Sequence, residues 1–434
     1  ADYGAENVES TFRSCYAGKE EHGSVRLPRS AGGKGRREAD EANKPAEVEA
    51  IEAFLLSQAE FRHNVITHHC EIRWTEEAGF LPLTDRDVNT LWGRMNKTVG
   101  RVYLTDIYNV IHSEFVPLFN PFQSYFDHLP SWDGVSDPIG DLADTVHVKS
   151  DQAEFRDYFR KWFVGILPAL LDDTVVNHEI LVLIGEQGLY KTTWFNFLLP
   201  PELRCYFYTK TNSDRLNKDD LFSLTEFALI CFEELDGMRP AELNQLKAMV
   251  TMPYVNERAA YGRNKERHPH IASFCGTGNN VQFLTDPTGN RRWLPFEVSQ
   301  IRDPHLHAIP YELVYSQAYA LWKSGFCHWF SQEEIRKLNM HNSRFEVPNL
   351  EEDLIRTHFR KPFEGEAGIF VTAADILEQI SSCLRYPLSP NKIGRIMAGL
   401  EFESIRYKGK RGYITVKKTG EDIDRERRSG ALGL

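Results

Sequence analysis

The sequence lacks the features that mark a membrane protein or a secreted protein. No stretch of its 434 residues approaches the roughly eighteen apolar residues of a membrane span, and no secretory signal stands at the start. The seven cysteines are scattered, and none belongs to a Cys-X-X-Cys pair. An odd, dispersed set of cysteines favours a reducing compartment over a disulfide framework. We therefore expect a cytoplasmic protein with no membrane contact.

An overall excess of basic residues is also missing, because the formal net charge is -11. A protein that coats nucleic acid generally carries the opposite sign. A local basic surface stays open as an alternative, since electrostatic steering depends on where the charges lie. The length is too great for one ordinary core and predicts two or three domains.

Composition and apolar spacing divide the chain into five segments. The first is poor in apolar residues, and its SAGGKGRREADEANK stretch is typical of a linker. The second has helical spacing, with one short strand near 65–74 and a helix that begins after Thr84. A long helix follows at 154–171, in which Pro168 marks a bend or an end. The segments are a flexible tail (1–45), a mainly helical N-terminal domain (46–178), an α/β core (179–345), a winged-helix-like domain (346–420) and a flexible tail (421–434).

Four apolar runs alternate with helical sequence in the third segment and predict its fold. They read EILVLIG, FALICFEEL, IASFCGTG and RRWLPFEV. Runs that are apolar at nearly every position are typical of strands buried on both faces of a parallel sheet. We therefore predict an α/β core whose first strand is followed by a glycine-containing loop and a helix.

That loop reads GEQGLYKT and approximates the phosphate-binding pattern GxxxxGK[ST]. The pattern needs a lysine for the β- and γ-phosphates and a hydroxyl for Mg²⁺, which Lys191 and Thr192 supply. Tyr190 stands where the pattern has glycine, and a bulky residue is costly where φ is positive. A working nucleotide site, a decayed one and a coincidence all stay open on the loop alone. The candidate ATP-binding residues are Gly185, Glu186, Gln187, Gly188, Leu189, Tyr190, Lys191, Thr192 and Thr193.

Two further strand ends carry polar side chains that suit nucleotide hydrolysis. The run ALICFEELD delivers Glu233, a candidate Mg²⁺ ligand together with Thr192, and Glu234, a candidate to activate water. The alternative is a buried strand that runs into an acidic loop. The run FCGTGNN ends in Asn279, or else Asn280, as a sensor of the γ-phosphate; its alternative is an asparagine turn.

Basic residues suggest two other roles. Arg291 and Arg292 follow a glycine turn, and such arginines can stabilise a transition state at a neighbouring subunit or simply pair with local carboxylates. The stretch RAAYGRNKER interleaves cations with an aromatic residue, as a nucleic-acid contact does, although a solvated loop would look similar. A helix and a basic hairpin near the C-terminus suit duplex binding, or a protein contact. The candidate DNA-binding residues are Arg258, Tyr261, Arg263, Lys265, Arg267, Lys392, Arg395, Lys408, Lys410 and Arg411.

Five motifs in one order resemble the virulence-associated protein E (VapE/VirE) family of phage, plasmid and genomic-island replication proteins. They are GEQGLYKTT, FEELD, RAAYGR, GTGN and DPTGNRRWLPF, and the resemblance covers about 115–300. It implies a P-loop core of the AAA+ or superfamily III helicase type in a bacterial or phage-infected cell. It also implies a hexameric, ATP-driven helicase on single-stranded or forked DNA, often joined to a primase domain or subunit. The tail is similar to the extra C-terminal domain of Bacteroides-type members.

Two hypotheses about function follow from these motifs. The first is an ATP-dependent DNA helicase or translocase in which Lys191, Glu233, Glu234 and Asn279 act within one site and the arginines act between subunits. The second is a nucleotide-dependent DNA-binding or assembly factor with weak or no hydrolysis, which the tyrosine in the loop motivates. Substitution of Glu234 by Gln separates the two, because only the first requires it for turnover.

Overall fold

The computed structural model describes residues 46–77, 79–211, 218–257, 266–285, 290–347, 350–363, 365–381 and 389–422. The chain forms two compact units, Ala1–Phe119 and Asn120–Leu434. This division falls inside the predicted 46–178 segment. The five predicted segments therefore stay predictions, and the two units are described separately.

The first unit is a four-stranded sheet packed with three helices. Its elements are α1 (Val48–Gln58), β1 (Ala59–Asn64), β2 (His69–Trp74), β3 (Leu81–Pro82), α2 (Asp85–Thr98), α3 (Leu104–Ile111) and β4 (Leu118–Phe119). The strand order is β3-β2-β1-β4, with β1 and β2 antiparallel. Leu55, Ile72, Leu91 and Ile107 are buried between the sheet and the helices.

The sequence predicts one short strand in this unit, near 65–74, whereas the structure contains the four strands β1 to β4. The helical spacing of apolar residues runs on from α1 into Ala59 and Phe61, which hides the start of β1 in the sequence. In the first half of β1, Ala59 and Phe61 are buried while Glu60 is exposed, as in a strand with one face in the core. The predicted helix start is confirmed, because the Thr84 hydroxyl accepts a hydrogen bond from the Asp87 amide at 3.3 Å.

The second unit is built on a six-stranded sheet with the order β5-β12-β6-β11-β8-β7. Its first elements are α4 (Pro121–Asp127), α5 (Pro138–Ala143), β5 (Val146–Val148), α6 (Gln152–Leu171), β6 (Ile180–Ile184), α7 (Lys191–Leu198), β7 (Phe207–Lys210), α8 (Lys218–Glu226), β8 (Leu229–Phe232), α9 (Pro240–Val250), β9 (Tyr254–Glu257), β10 (Glu266–Pro269), β11 (Ser273–Gly278), β12 (Trp293–Ile301), α10 (Tyr311–Lys323) and α11 (Gln332–Asn342). All neighbouring strands of this sheet are parallel except β5, which is antiparallel to the end of β12.

The four predicted strands are confirmed as β6, β8, β11 and β12. Every residue of β6, β8 and β11 is buried, which is the pattern of a parallel sheet covered on both faces. The glycine loop follows β6, the first strand within 179–345, as predicted, but the sheet also contains β5, which precedes β6 in the chain. β5 is a three-residue edge strand and is too short to stand out in the sequence.

Helix α6 covers one face of this sheet and is buried along most of its length. The Trp162 indole donates a hydrogen bond to the Phe274 carbonyl at 3.0 Å. The Asn177 amide donates to the Trp162 carbonyl and to the Ser273 hydroxyl, which fixes the chain between α6 and β6. Pro168 lies in the last turn and does not end the helix, which continues to Leu171.

The C-terminal part of the second unit contains the predicted three helices and hairpin. Its elements are α12 (Leu350–His358), β13 (Phe359–Arg360), β14 (Ile369–Val371), α13 (Ala373–Ser381), α14 (Pro390–Gly399), β15 (Ser404–Tyr407) and β16 (Lys410–Lys417). Lys408 and Gly409 link β15 to β16 with φ values of 49° and 78°, as a two-residue hairpin turn requires. Across the described residues, none of the helices has both the length and the apolar character needed to cross a bilayer.

Candidate functional site

A polar cleft of about 350 Å³ lies at the carboxyl edge of the central sheet. The carboxyl ends of parallel strands meet at one edge, so the segments that follow β6, β8 and β11 come together there. The lining residues are Gln187, Gly188, Leu189, Tyr190, Lys191, Thr192, Thr193, Glu233, Glu234, Thr277, Gly278 and Asn279. The three predicted strand ends therefore form one site.

The loop between β6 and α7 ends in two residues with positive φ. Gly188 has a φ of 85°, and Tyr190 lies in the left-handed region at φ 59° and ψ 18°. As the sequence predicts, a bulky residue occupies a conformation that favours glycine. The Tyr190 carbonyl accepts the first helical hydrogen bond of α7 from the Trp194 amide at 2.7 Å. Its side chain is 42% exposed, so the ring does not fill the core.

Lys191 is held inside the loop by main-chain oxygens. Its Nζ donates to the carbonyls of Gly185 and Glu186 at 2.6 and 2.7 Å, and it lies 3.3 Å from the Asn279 Oδ1. Burial lowers the pKa of Lys191, and the nearby Asp236 carboxylate opposes that shift. The site therefore presents a desolvated ammonium group, which strengthens its attraction for an anion.

Two side chains that carry oxygen meet where β8 ends. The Thr192 hydroxyl donates to Oε1 of Glu233 at 2.8 Å, which brings together the two residues predicted to bind metal. Glu234 follows in the left-handed region with a φ of 53° and lines the cleft as an exposed residue.

Asp236 is a site residue that the sequence prediction missed. Its carboxylate accepts hydrogen bonds from the amides of Asn279 and Asn280, both at 3.1 Å. Asp236 lies in a short 3-10 turn, Leu235–Gly237, directly after the paired glutamates. It thereby ties the end of β8 to the end of β11. The sequence signal for Asp236 was its place as the third acid of EELD, but no spacing rule assigns a role to that position.

Arg291 and Arg292 lie at the opposite edge of the sheet. They precede β12, whose Trp293 is paired with Ile180 at the start of β6, so a five-residue strand separates them from the loop, on the order of 16 Å. Burial and the charge of Arg291 lower the pKa of Arg292, while Glu179 opposes the shift. The structure does not bring either arginine to the cleft of its own chain.

Most predicted DNA contacts between β8 and β11 lie outside the described residues, namely Arg258, Tyr261, Arg263 and Lys265. The flanking strands β9 and β10 pair in antiparallel fashion. Arg267 is described, and its guanidinium lies 3.5 Å from the centre of the Tyr254 ring.

The predicted contacts of the tail fall on two neighbouring elements. On α14, Lys392 pairs with the buried Glu351 of α12, and Arg395 is exposed. On the β15–β16 hairpin, Lys408, Lys410 and Arg411 are exposed, and Arg411 also donates to the Ser404 hydroxyl at 2.7 Å.

The virulence-associated protein E-like domain model matches residues 127–347, which is just over half of the sequence. The chain belongs to this family, as its five ordered motifs predict. No curated protein matches the sequence significantly.

Similar solved structures include an apo structure of the C-terminal region of NrS-1, with 12% identity and a TM-score of 0.45. That alignment covers 86% of this chain and 99% of the NrS-1 chain. An A-form apo structure of the same region has 13% identity and a TM-score of 0.43, with coverage of 86% and 99%. Another A-form structure has 11% identity, a TM-score of 0.44 and coverage of 85% and 99%.

Proposed function

We propose that this protein is an ATP-dependent DNA helicase or translocase of a phage, plasmid or genomic-island replication module. The observation that carries the proposal is the convergence of Lys191, Thr192, Glu233, Glu234 and Asn279 on one cleft. On this proposal the second unit contains a P-loop core of the AAA+ or superfamily III helicase type. Membership of the family supports the same assignment.

The donor set of the cleft fits ATP with Mg²⁺. Mg²⁺ prefers hard oxygen ligands and keeps several waters, so the Thr192 hydroxyl and the Glu233 carboxylate, 2.8 Å apart, are a suitable protein share. The desolvated Lys191 ammonium and the N-terminus of α7 suit a phosphate group. When bound, Mg²⁺ would neutralise charge on the phosphate oxygens.

Lys191, Glu234, Asn279 and Asp236 have distinct parts in the proposed hydrolysis. Lys191 binds the phosphates and would exchange its two carbonyl partners for phosphate oxygens. Glu234 orients a water molecule and accepts its proton on a carboxylate oxygen. Asn279 senses the terminal phosphate, and Asp236 positions it through the two main-chain amides.

The arginines require a second subunit on this proposal. Arg291 and Arg292 cannot reach the cleft of their own chain, because they lie at the other edge of the sheet. In a ring, that edge of one subunit can face the cleft of the next, where an arginine stabilises the developing charge. We infer a homo-oligomeric ring, with six subunits as the expected number.

The C-terminal part of the second unit supports action on DNA. Three helices and a basic hairpin would suit a winged helix, in which α14 and the hairpin would contact forked DNA. The β9–β10 ribbon would carry the second DNA contact, on the single strand. A primase domain or subunit is a further expected partner.

Measurement of ATP hydrolysis by the purified protein, with and without single-stranded DNA, tests the proposal. We expect hydrolysis that DNA stimulates and that both Lys191→Ala and Glu234→Gln abolish. Only Glu234→Gln should keep ATP binding, because it preserves the phosphate contacts. Tyr190→Phe is a matched control, since it keeps the ring in the loop. ATP binding without turnover in the wild type would instead favour a nucleotide-dependent DNA-binding or assembly factor.

A further inference from the structure

The outer face of the C-terminal sheet carries a group of partly exposed apolar residues. β16 is central there, with β14 on one side and β15 on the other. Tyr413 and Thr415 point inward and are buried, so the alternate positions point outward. The outward set of this sheet, which we call the wing face, is Phe370, Ile405, Tyr407, Lys410, Gly412 and Ile414.

Two aromatic rings form the centre of the wing face. The centroids of Phe370 and Tyr407 lie 5.4 Å apart with an interplanar angle of 53°. A Cβ atom at Gly412 would lie 2.5 Å from the Phe370 ring, so this ring packs directly on the main chain of β16. Tyr407 is 52% exposed. The rings are therefore held in place by the sheet while part of their surface faces solvent.

The hairpin that carries Tyr407 is rich in basic residues. Residues 402–418 contain the cations Arg406, Lys408, Lys410, Arg411, Lys417 and Lys418 and a single acid, Glu403, in a chain whose net charge is -11. Lys408 lies 5.3 Å from the centre of the Tyr407 ring, and Lys410 is the cross-strand partner of Tyr407. Cations thus flank the aromatic surface on the hairpin.

We propose that the wing face binds a single-stranded nucleic acid by stacking unpaired bases on Tyr407 and Phe370. Exposed aromatic rings flanked by lysines are the arrangement that stacks bases and follows a phosphate backbone. Bases within a duplex are stacked on each other, so a duplex offers no free base face to these rings. A protein partner with an acidic and apolar surface could also fit the wing face, so the test must distinguish such a partner from a nucleic acid.

This inference rests on the proposed action on DNA but not on ATP hydrolysis. The test therefore uses the full chain without nucleotide. An oligothymidine in which 5-iodouracil replaces some thymines is irradiated with the protein, and the crosslinked peptides are identified by mass spectrometry. We expect crosslinks to Tyr407 or Phe370, because iodouracil reacts with aromatic rings that stack on it.

Tyr407→Ala should reduce the yield of crosslinks in this region about fivefold or more, and Tyr407→Phe should retain it. A blunt duplex of the same length should compete more weakly than an unlabelled single strand, because it offers its backbone to the hairpin but no free base to the rings. Crosslinks that map only to other segments would overturn the inference while leaving DNA binding intact. Equal competition by duplex would overturn it too, as would a Tyr407→Ala variant that crosslinks as well as the wild type. Failure of the wild type to bind any DNA would overturn both this inference and the proposed DNA function, in favour of a protein partner.

Discussion

At the scale of single residues, Tyr190 explains how an atypical loop can keep its shape. The left-handed conformation costs roughly 1–2 kcal/mol for a residue with a side chain. The start of α7 is nonetheless formed at Tyr190, and Lys191 still points back to the carbonyls of Gly185 and Glu186. Tyr190 therefore adopts the left-handed backbone conformation that glycine usually provides, and the loop keeps its shape. The sequence alone could not decide whether the tyrosine would adopt or distort this conformation.

Asp236 gives the sharpest residue-scale prediction. We expect Asp236→Ala to lower the rate of ATP hydrolysis about 10- to 100-fold, because Asn279 and Asn280 lose the carboxylate that holds their amides. ATP affinity should change little, since the contacts of Lys191 and Thr192 remain. Steady-state kinetics together with a binding titration would measure both quantities.

Asp133→Ala is the matched control for that variant. Asp133 also accepts hydrogen bonds from two main-chain amides, those of Val135 and Ser136, but it lies in a loop that does not line the cleft. Its hydrolysis rate should equal that of the wild type. If both aspartate variants lost activity equally, Asp236 would have only a general structural role.

At the scale of elements, the sequence predicts what is strongly patterned and misses what depends on pairing. The inner strands were found because nearly every position in them is apolar or small. In the first unit the predicted strand near 65–74 contains β2, whereas β1 was missed because it is short and half polar and is defined by its pairing with β2. The order of the strands also depends on contacts distant in sequence, so the position of the two arginines emerged only from the register of β12.

Strand β11 packs too closely against the turn after β8 to accept a larger residue. A Cβ atom at Gly276 would lie 2.2 Å from the buried Leu235 side chain and 3.2 Å from the Phe232 carbonyl. We expect Gly276→Ala to reduce the free energy of unfolding by about 1–3 kcal/mol. Urea denaturation would measure this loss. Gly93→Ala, at a site with no neighbour within 4 Å, should be neutral or slightly stabilising.

Helices α6 and α11 are joined by an ion pair whose effect depends on pH. Burial would raise the pKa of Glu334, but hydrogen bonds from Lys161 and Ser331 outweigh it and lower the pKa from 4.5 to about 2. The stabilisation is therefore complete above pH 4.5 and is lost as the pH falls toward 2. The Lys161 Nζ lies 2.8 Å from Oε1 of Glu334, whose side chain is 34% exposed.

We expect Glu334→Gln to lower the free energy of unfolding at pH 7 by about 1 kcal/mol, a value reduced for solvent screening. The difference from the wild type should shrink as the pH falls from about 4.5 toward 2, because the carboxylate takes up its proton first in the unfolded chain and only near pH 2 in the folded protein. Urea denaturation at several pH values would measure the trend. A difference that stayed constant with pH would mean that the charge of Glu334 does not matter.

At the scale of the whole molecule, the cleft and the two arginines lie at opposite edges of the central sheet. On the proposed function, this arrangement predicts that two neighbouring subunits share each site of hydrolysis. A mixture of inactive Lys191→Ala with an inactive Arg291→Ala/Arg292→Ala double variant should regain hydrolysis. In a ring assembled at random from equal amounts, about a quarter of the sites would combine an intact cleft with intact arginines. The recovered rate should approach that fraction of the wild-type rate. If the mixture stayed inactive, the arginines would not act between subunits.

On the proposed function, this family member hydrolyses ATP in a ring that encloses DNA. Electron microscopy of the full chain with an ATP analogue, Mg²⁺ and forked DNA tests it most directly. We predict a ring with DNA in its pore, the analogue's phosphates against Lys191 and Thr192, and an arginine of the next subunit facing them. A nucleotide bound away from Lys191, or a particle that does not close around DNA, would contradict the account.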